Sequence, residues 1–305
     1  MREGIGKECG LRRLLIFTDL DGSLLDKADY SYAGAKPALN RIARLGIPLI
    51  IASSKTRAEI EVLQRDLGVT APFIVENGGG IFFPDAERKP AVGVDARCGG
   101  VDEVVTLGVP YVRIRSFLEG LPRSIRVRGF GDMTDREVAA ASDLTLERAA
   151  LAKKRDFTEP FLLEEPSVLP ALTERAEQAE LRVVRGGRFY HLTGAGQDKG
   201  LAVRIVRERF AKRQGGPAVA IGLGDSENDL PLLAAVDVPV LIPQPDGSPP
   251  HIDLPGLIHA DEPGSRGWNG AVQRLLDQFG FLCIEEQGKA ALPGRNPGYP
   301  EGEQA

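Results

Sequence analysis

The sequence predicts an α/β fold in which a parallel-sheet domain is interrupted by an inserted unit. Short apolar runs without alternation occur at 14–18 and 47–52 and return at 218–223. Such runs are typical of strands that are buried on both faces of a parallel sheet. A helical pattern follows these runs, so strands and helices alternate along the chain. The stretch 88–193 has a different texture, with more Arg and Glu and with both helical and strand patterns.

The first part of the chain is predicted to run strand, helix, strand, helix, strand. A helix at 38–45 ends at Gly46, because glycine adopts the left-handed conformation that closes many helices. Thr56 and Glu59 have the spacing of a capping box and predict the start of the second helix. After a third short strand, residues 76–80 (Glu-Asn-Gly-Gly-Gly) predict a turn with unusual backbone angles.

The later elements divide between the insertion and the returning sheet. Those of the insertion are helices at 134–153 and 169–180 and strands at 181–184 and 189–192. Those of the returning sheet are a helix at 199–212, a strand at 218–223, a helix at 226–235 and a strand at 238–242. The predicted domains are a Rossmann-like, doubly wound core (11–87 and 194–284), an inserted α+β unit (88–193) and a disordered tail (285–305).

Composition excludes several classes of protein. The 305 residues carry a net charge of −5, whereas nucleic-acid binding needs a basic surface. No apolar run reaches the ~18 residues of a membrane span, and the N-terminus does not resemble a secretory signal. The cysteines, Cys9, Cys98 and Cys283, are odd in number and far apart, which argues against a disulfide framework or a zinc site. We therefore expect a cytoplasmic protein, and the oligomeric state is not predicted.

Polar residues cluster where the predicted parallel strands end. Asp19 and Asp21 follow the first strand, Ser53 follows the second, and Asp225 follows the late strand at 218–223. Ligands bind at the carboxyl ends of the strands in open parallel sheets. Carboxylates that converge there repel one another, and a hard cation with oxygen ligands relieves the repulsion. The pattern therefore predicts a Mg²⁺ site.

These parts together suggest phosphoryl transfer through a covalent intermediate. Asp19 would attack phosphorus, and Asp21 would protonate the leaving oxygen and later activate water. Ser53 would bind a phosphate oxygen, while Mg²⁺ and Lys199 would neutralise the phosphate charge. The predicted metal ligands are Asp19, Asp21 and Asp225, supported by Asn228 and Asp229.

Each part also has a purely structural interpretation. The Asp-x-Asp-Gly run at 19–22 is often only a turn, and Ser53 could belong to a helix N-cap. Lys199 alone would be interpreted as a solvated charge at the start of a helix. The combination is more specific, because four segments occur in order and each lies at the expected end of an element.

These four segments resemble the haloacid dehalogenase-like phosphohydrolases. The matching residues are Asp19-Leu20-Asp21-Gly22-Ser23, Ser53, Lys199-Gly200 and Gly224-Asp225-Ser226-Glu227-Asn228-Asp229. In that superfamily the second Asp distinguishes phosphatases and mutases from the pump ATPases, so Asp21 implies the former. The inserted unit resembles the α/β cap that covers the site and selects the substrate.

Four further segments resemble the mannosyl-3-phosphoglycerate phosphatase family: 53–57, 76–80, 155–161 and 187–192. The resemblance implies hydrolysis of mannosyl-3-phosphoglycerate to mannosylglycerate, a compatible solute, with the glucosyl compound as an alternative. The candidate substrate-binding residues are Ser54, Lys55, Asn77, Arg155, Glu159, Arg188 and His191. Taken singly, the arginines could be solvated charges and His191 a packed core residue.

Two alternatives keep the fold and change the function. The chain could be a sucrose-phosphate or hexose-phosphate phosphatase or a phosphomannomutase-like enzyme, which a substrate panel would distinguish. It could also be a ligand-binding protein that has lost catalysis. The complete set of Asp19, Asp21, Lys199 and Asp225 argues against such a loss.

Overall fold

The computed structural model describes residues 13–84, 101–186, 188–246 and 252–281. The three cysteines and the predicted disordered tail at 285–305 lie outside these residues. None of the helices within the described ranges combines the length and the apolar character that crossing a bilayer requires.

The strands of the described residues form two separate sheets. In chain order the strands are β1 (Leu14–Thr18), β2 (Leu49–Ala52), β3 (Phe73–Val75), β4 (Gly80–Pro84), β5 (Val101–Thr106), β6 (Val127–Gly129), β7 (Thr158–Leu163), β8 (Leu181–Arg185), β9 (Tyr190–Gly194), β10 (Val219–Gly224), β11 (Val238–Leu241) and β12 (Ile258–His259). The large sheet has the order β12-β11-β10-β1-β2-β3-β4-β5, and the small sheet has the order β6-β7-β9-β8.

The large sheet is covered by helices on both faces. In chain order the helices are α1 (Lys36–Leu45), α2 (Arg57–Leu67), α3 (Tyr111–Glu119), α4 (Asp135–Ser142), α5 (Leu146–Ala152), α6 (Leu169–Gln178), α7 (Lys199–Gln214), α8 (Leu230–Leu233) and α9 (Gly264–Gln278). Apolar residues of α1, α2 and α9 pack on one face, and those of α7 and α8 pack on the other.

Strand β1 shows why an unbroken apolar run marks the centre of the sheet. Leu14 and Ile16 pack into the core on one face, while Leu15 and Phe17 pack into the core on the other. Successive side chains of a strand point to opposite faces, so both faces must be apolar when both are covered. The pairings that join β12, β11, β10, β1, β2 and β3 to one another are all parallel, whereas β4 pairs with β3 in the antiparallel direction. The predicted doubly wound α/β fold is confirmed.

Local sequence signals also act as predicted. Gly46 closes α1 in the left-handed conformation, with φ of 64°. Thr56 and Glu59 form the capping box that begins α2. The Asp198 carboxylate accepts a hydrogen bond of 2.6 Å from the Leu201 amide and begins α7.

The structure divides one predicted helix into two separate helices. The segment 134–153 divides into α4 and α5, because Asp143 ends α4 in the left-handed conformation, with φ of 57°. Thr145 then caps α5 by accepting a hydrogen bond of 3.3 Å from the Arg148 amide. The prediction followed the helical pattern and missed these stop and start signals.

The helix predicted at 226–235 is shorter than expected. It consists of a 3₁₀ turn, Glu227–Asp229, followed by the single turn of α8. The Asp229 carboxylate folds back and accepts hydrogen bonds from the Asp225 and Ser226 amides at 3.1 and 3.2 Å. Because of these hydrogen bonds, residues 225–229 form a tight loop, and the α-helix begins only at Leu230.

The insertion begins later than predicted. Residues 101–106, which we assigned to it, form β5, an antiparallel edge strand of the large sheet. The small sheet and its helices lie within residues 109–194, here called the small-sheet unit. Helices α3 and α6 contribute Ile114 and Leu172 to the core on one face of this sheet, where they pack with Phe161.

Glu76 joins the two units. It lies in the turn after β3 with a left-handed backbone (φ 49°), and its side chain is fully buried. Its carboxylate accepts hydrogen bonds from the Asp156 and Phe157 amides at 2.8 and 3.1 Å and from the Thr158 hydroxyl at 2.6 Å. One side chain of the large-sheet domain therefore holds the start of β7 in place, and burial raises its pKa.

We expect Glu76→Gln to lower the free energy of unfolding by roughly 1–3 kcal/mol. The amide nitrogen of glutamine is a donor, and each of the two carboxylate oxygens that it could replace accepts a hydrogen bond from a donor of residues 156–158. The measurement is urea unfolding of both proteins. The exposed Glu165→Gln is the control and should change stability by less than about 0.5 kcal/mol. Equal effects of the two variants would show that Glu76 does not join the units.

Candidate active site

Three aspartates converge where the central parallel strands end. Asp19 directly follows β1, Asp225 directly follows its neighbour β10, and Asp229 ends the next 3₁₀ turn. Each offers one carboxylate oxygen, and these atoms lie within 4.8 Å of one another. We call these three residues the acidic group. All are buried, so their mutual repulsion is weakly screened by water.

Lys199 is the buried counter-charge of the acidic group. It is the first residue of α7, and its ammonium lies 2.7 Å from Asp19 Oδ1 and 2.7 Å from Asp229 Oδ1. Burial alone would lower the pKa of Lys199, but the two carboxylates outweigh burial and raise it. Lys199 is therefore a fixed positive charge at neutral pH.

Lys199 and the more exposed Lys27, which lies 2.7 Å from Asp225 Oδ2, carry two positive charges against three carboxylates. Burial, followed by the charge of Asp229, raises the pKa of Asp19 well above its ordinary value. Burial also raises the pKa of Asp225. A raised carboxylate pKa means that the ionised form is destabilised in the folded protein. The site therefore favours a further cation, and three carboxylate oxygens suit a hard divalent ion.

Two glycines allow this packing. A side chain at Gly22 would meet Asp225 Oδ2 at 2.3 Å, and Gly22 has φ of 86°. A side chain at Gly224 would meet the Asp229 β-carbon at 2.4 Å. Glycine at both positions lets the carboxylates approach the backbone of the first loop and of β10.

Sequence reasoning missed a support beneath Asp19. The indole nitrogen of the buried Trp268 donates a hydrogen bond of 3.0 Å to the Thr18 hydroxyl, which in turn donates one of 2.6 Å to the Asp19 carbonyl. This contact gives Trp268 a structural role beneath the first residue of the site. No short-range sequence pattern links residues 250 positions apart.

The carboxylate of Asp21 does not join the acidic group in the described residues, although we predicted it as a metal ligand. Its Oδ2 instead pairs with the ammonium of Lys55 at 2.9 Å. Its Oδ1 has no hydrogen-bond partner among the described residues. Asp229, predicted only as a support, takes the third position.

Ser53, Asn77 and Asn228 lie at the same end of the large sheet as the acidic group. Ser53 is buried after β2, and its carbonyl accepts a hydrogen bond of 2.9 Å from the Asn77 amide. The Asn77 side chain accepts one of 3.0 Å from Asn228. The elements that carry Ser53, Asn77 and Asn228 are thus held together at the same end of the sheet.

A cavity of about 970 Å³ opens over the acidic group. Asp19, Asp225 and Asn77 line its floor, and residues of the small-sheet unit line the opposite wall. The wall is the face of the small sheet not covered by α3 and α6, since Pro160 and His191 line the cavity while Phe161 packs into the helix core. The cavity lies between the two units.

The chain is similar to known proteins of one hydrolase family. Residues 16–92 match the haloacid dehalogenase-like hydrolase family. A glucosyl-3-phosphoglycerate/mannosyl-3-phosphoglycerate phosphatase from Persephonella marina is 46% identical over 272 residues, covering 88% of this chain and 100% of the relative. One of the same name from Methanococcoides burtonii is 42% identical, covering 86% and 97%.

This chain belongs to that phosphatase family. The predicted family is confirmed, and the alternative of a protein without enzymatic function is not supported. Solved structures show the same fold at low identity. The sucrose-phosphatase from Synechocystis has a TM-score of 0.56 and 15% identity, covering 88% of this chain and 98% of that one. A haloalkanoate-superfamily phosphatase from Bacteroides thetaiotaomicron has a TM-score of 0.57 and 18% identity, covering 92% and 100%.

Arg155 of the phosphatase bridges the two units. Its guanidinium donates a hydrogen bond of 2.8 Å to the Ser54 carbonyl in the large-sheet domain and one of 3.3 Å to Thr158. It also lines the cavity. Arg188 lines the cavity too, but it is held within its own unit by Asp143 and the Ala141 carbonyl, each at 2.6 Å.

Glu159, which we predicted to contact substrate, does not line the cavity. It follows Thr158 and precedes Pro160, so it points to the opposite face of β7. Its Oε1 accepts a hydrogen bond of 2.7 Å from the Gly131 amide and lies 3.5 Å from Arg115. The structure thus places Glu159 inside the small-sheet unit.

His191 of the phosphatase lines the cavity on the same wall as Arg155. Burial, then the positive charges of Arg155 and Lys199, lower its pKa to about 3. A neutral imidazole can both donate and accept a hydrogen bond, which suits a hydroxyl-bearing ligand.

We expect His191 to stay neutral in the folded protein from pH 8 down to about pH 5. The unfolded chain takes up this proton near pH 6.5, so acidification through that range destabilises the fold. NMR of ¹⁵N-labelled imidazoles measures the titration, with His191→Gln identifying the resonance. A midpoint near 6.5 in the folded protein would contradict the expectation.

Proposed function

We propose that this phosphatase hydrolyses glucosyl-3-phosphoglycerate or mannosyl-3-phosphoglycerate to the glycosylglycerate and phosphate, through an aspartyl-phosphate on Asp19. The observation that carries the proposal is the convergence of Asp19, Asp225 and Asp229 around the buried Lys199. The names of the two curated relatives support this choice of substrate.

The acidic group suits Mg²⁺, which binds carboxylate oxygens. Asp19 and Asp225 would hold it, with Asp229 beside them, since one oxygen of each lies within 4.8 Å of the others. When bound, the ion supplies positive charge that lets the Asp19 carboxylate approach an anionic phosphate.

In the first step the Asp19 carboxylate oxygen attacks phosphorus, and the bond between phosphorus and the glycerate oxygen breaks. Asp21 donates its proton to that departing oxygen. Asp21 lines the same cavity as Asp19, and its pairing with Lys55 orients one oxygen while leaving Oδ1 unpartnered among the described residues.

In the second step water attacks the phosphorus of the aspartyl-phosphate. Asp21 takes the proton of the water, the bond between phosphorus and Asp19 breaks, and phosphate leaves. Lys199 keeps a positive charge beside Asp19 through both steps, because its raised pKa holds the proton. Ser53 and Asn77 are proposed to hold phosphate oxygens.

The small-sheet unit is proposed to act as the cap that selects the substrate. A cavity of about 970 Å³ is ample for a glycosylated phosphoglycerate. His191, Arg188 and Ser54 line it, and they offer hydrogen bonds to sugar hydroxyls. Lys55 also lines the cavity but is proposed to act mainly through Asp21.

The test is release of inorganic phosphate from both glycosyl-3-phosphoglycerates, with Mg²⁺ and with the metal chelated. We expect turnover only with Mg²⁺, and Asp19→Asn should lower kcat at least about a thousand-fold, because the nucleophile is lost. The exposed Asp253→Asn is the matched control and should keep full activity. Turnover of neither compound by the native protein, or full activity of Asp19→Asn, would reject the proposal.

A further inference from the structure

Lys27 is a cation of the cavity that the steps above do not use. It lies in the loop after Asp21, and its ammonium is 2.7 Å from Asp225 Oδ2. It also donates a hydrogen bond of 2.5 Å to Gln244 Oε1. The Lys27 side chain is 39% exposed and lines the cavity, whereas that of Asp225 is only 4% exposed.

Gln244 holds this arrangement from the other side. Its amide nitrogen donates to the Asp225 carbonyl and lies 3.3 Å from Asp225 Oδ2, while its oxygen accepts from Lys27. The absence of a side chain at Gly22 leaves room for both partners, since a β-carbon there would meet Lys27 Cε at 2.6 Å. Gly22 and Gln244 thus shape the site in which Lys27 pairs with the Asp225 carboxylate.

The other cations near the acidic group are more buried than Lys27 and pair with other carboxylates. Lys199 is enclosed between Asp19 and Asp229, and Lys55 is paired with Asp21. Lys27 differs, because it is the most exposed of these three lysines and its carboxylate partner, Asp225, is proposed to bind the divalent ion. A divalent ion on Asp225 competes with the ammonium for the same carboxylate and repels it.

The substrate has a second anion close to its phosphate. In a 3-phosphoglycerate the carboxylate is separated from the phosphate-bearing oxygen by two carbon atoms only. When phosphorus lies at Asp19, this carboxylate must therefore lie near the acidic group. The ammonium of Lys27 pairs with Asp225, which lies beside Asp19 in the acidic group. It is therefore positioned to bind the carboxylate of the substrate.

We propose that Lys27 is a specificity-determining residue: it leaves Asp225 when that carboxylate binds the divalent ion, and its ammonium then binds the carboxylate of the substrate. This inference rests on the proposed function. It explains how the enzyme would prefer phosphoglycerate compounds over phosphates that lack the carboxylate. It also makes binding of the metal and binding of the substrate cooperative.

The test compares Lys27→Met with Arg185→Met. Arg185 lines the same cavity from β8 and serves as the control for loss of a positive charge. The probes are 3-phosphoglycerate and glycerol 3-phosphate as inhibitors, because glycerol 3-phosphate carries an alcohol in place of the carboxylate. Thermal unfolding verifies that both variants are folded.

We expect Lys27→Met to weaken inhibition by 3-phosphoglycerate about 10–100-fold, the range for a lost charge-assisted contact. Inhibition by glycerol 3-phosphate should change less than about 3-fold, and Arg185→Met should change the ratio of the two inhibitors little. Calorimetric titration with Mg²⁺ alone should show tighter binding to Lys27→Met, because the competing ammonium is gone.

Equal losses for both inhibitors, a loss that falls on Arg185→Met instead, or unchanged or weaker Mg²⁺ binding to Lys27→Met would overturn the inference. Failure of the proposed function has a different signature, namely that the native protein hydrolyses neither glycosyl-3-phosphoglycerate. In that case calorimetric binding of the same two inhibitors to the Mg²⁺-loaded protein still decides the role of Lys27.

Discussion

The excess negative charge of the acidic group is the constraint on which the site depends. Three buried carboxylates meet at the ends of β1 and β10, and the buried ammonium of Lys199 balances only part of their charge. Such an arrangement is costly to fold and is retained where a cation or a reaction uses it. The central parallel strands, the two glycines and the contact of Trp268 with Thr18 all serve to hold these carboxylates together.

The second unit matters because of how it is attached. The Glu76 carboxylate holds the backbone of residues 156–158, and Arg155 returns a hydrogen bond to the Ser54 carbonyl. These contacts fix one face of the small sheet over the acidic group, and the cavity between them is where selection of a substrate would occur. Under the proposed function, chemistry and selection would come from different units, which meet at buried polar contacts.

Much of this organisation could be predicted from sequence. Asp19, Lys199 and Asp225 were found because each lies at the end of a strongly apolar strand or at the start of a helix. Glu159 was predicted to face the substrate, but its side chain lies on the opposite face of β7. That face depends on the pairing of β7, which no local pattern reveals. Strand β5 was assigned to the insertion because it lies within the stretch 88–193, which is richer in Arg and Glu than the rest of the chain. Lys27 was missed because a single lysine in a loop has no sequence signature.

The most direct measurement of the central claim is a crystal structure of the protein with Mg²⁺ and beryllofluoride, which mimics an acyl phosphate. The account predicts a beryllium–oxygen bond to the Asp19 carboxylate and a Mg²⁺ ion held by Asp19 and Asp225, with Lys199 still beside Asp19. Beryllofluoride on another residue, or a Mg²⁺ ion that does not contact Asp225, would contradict it.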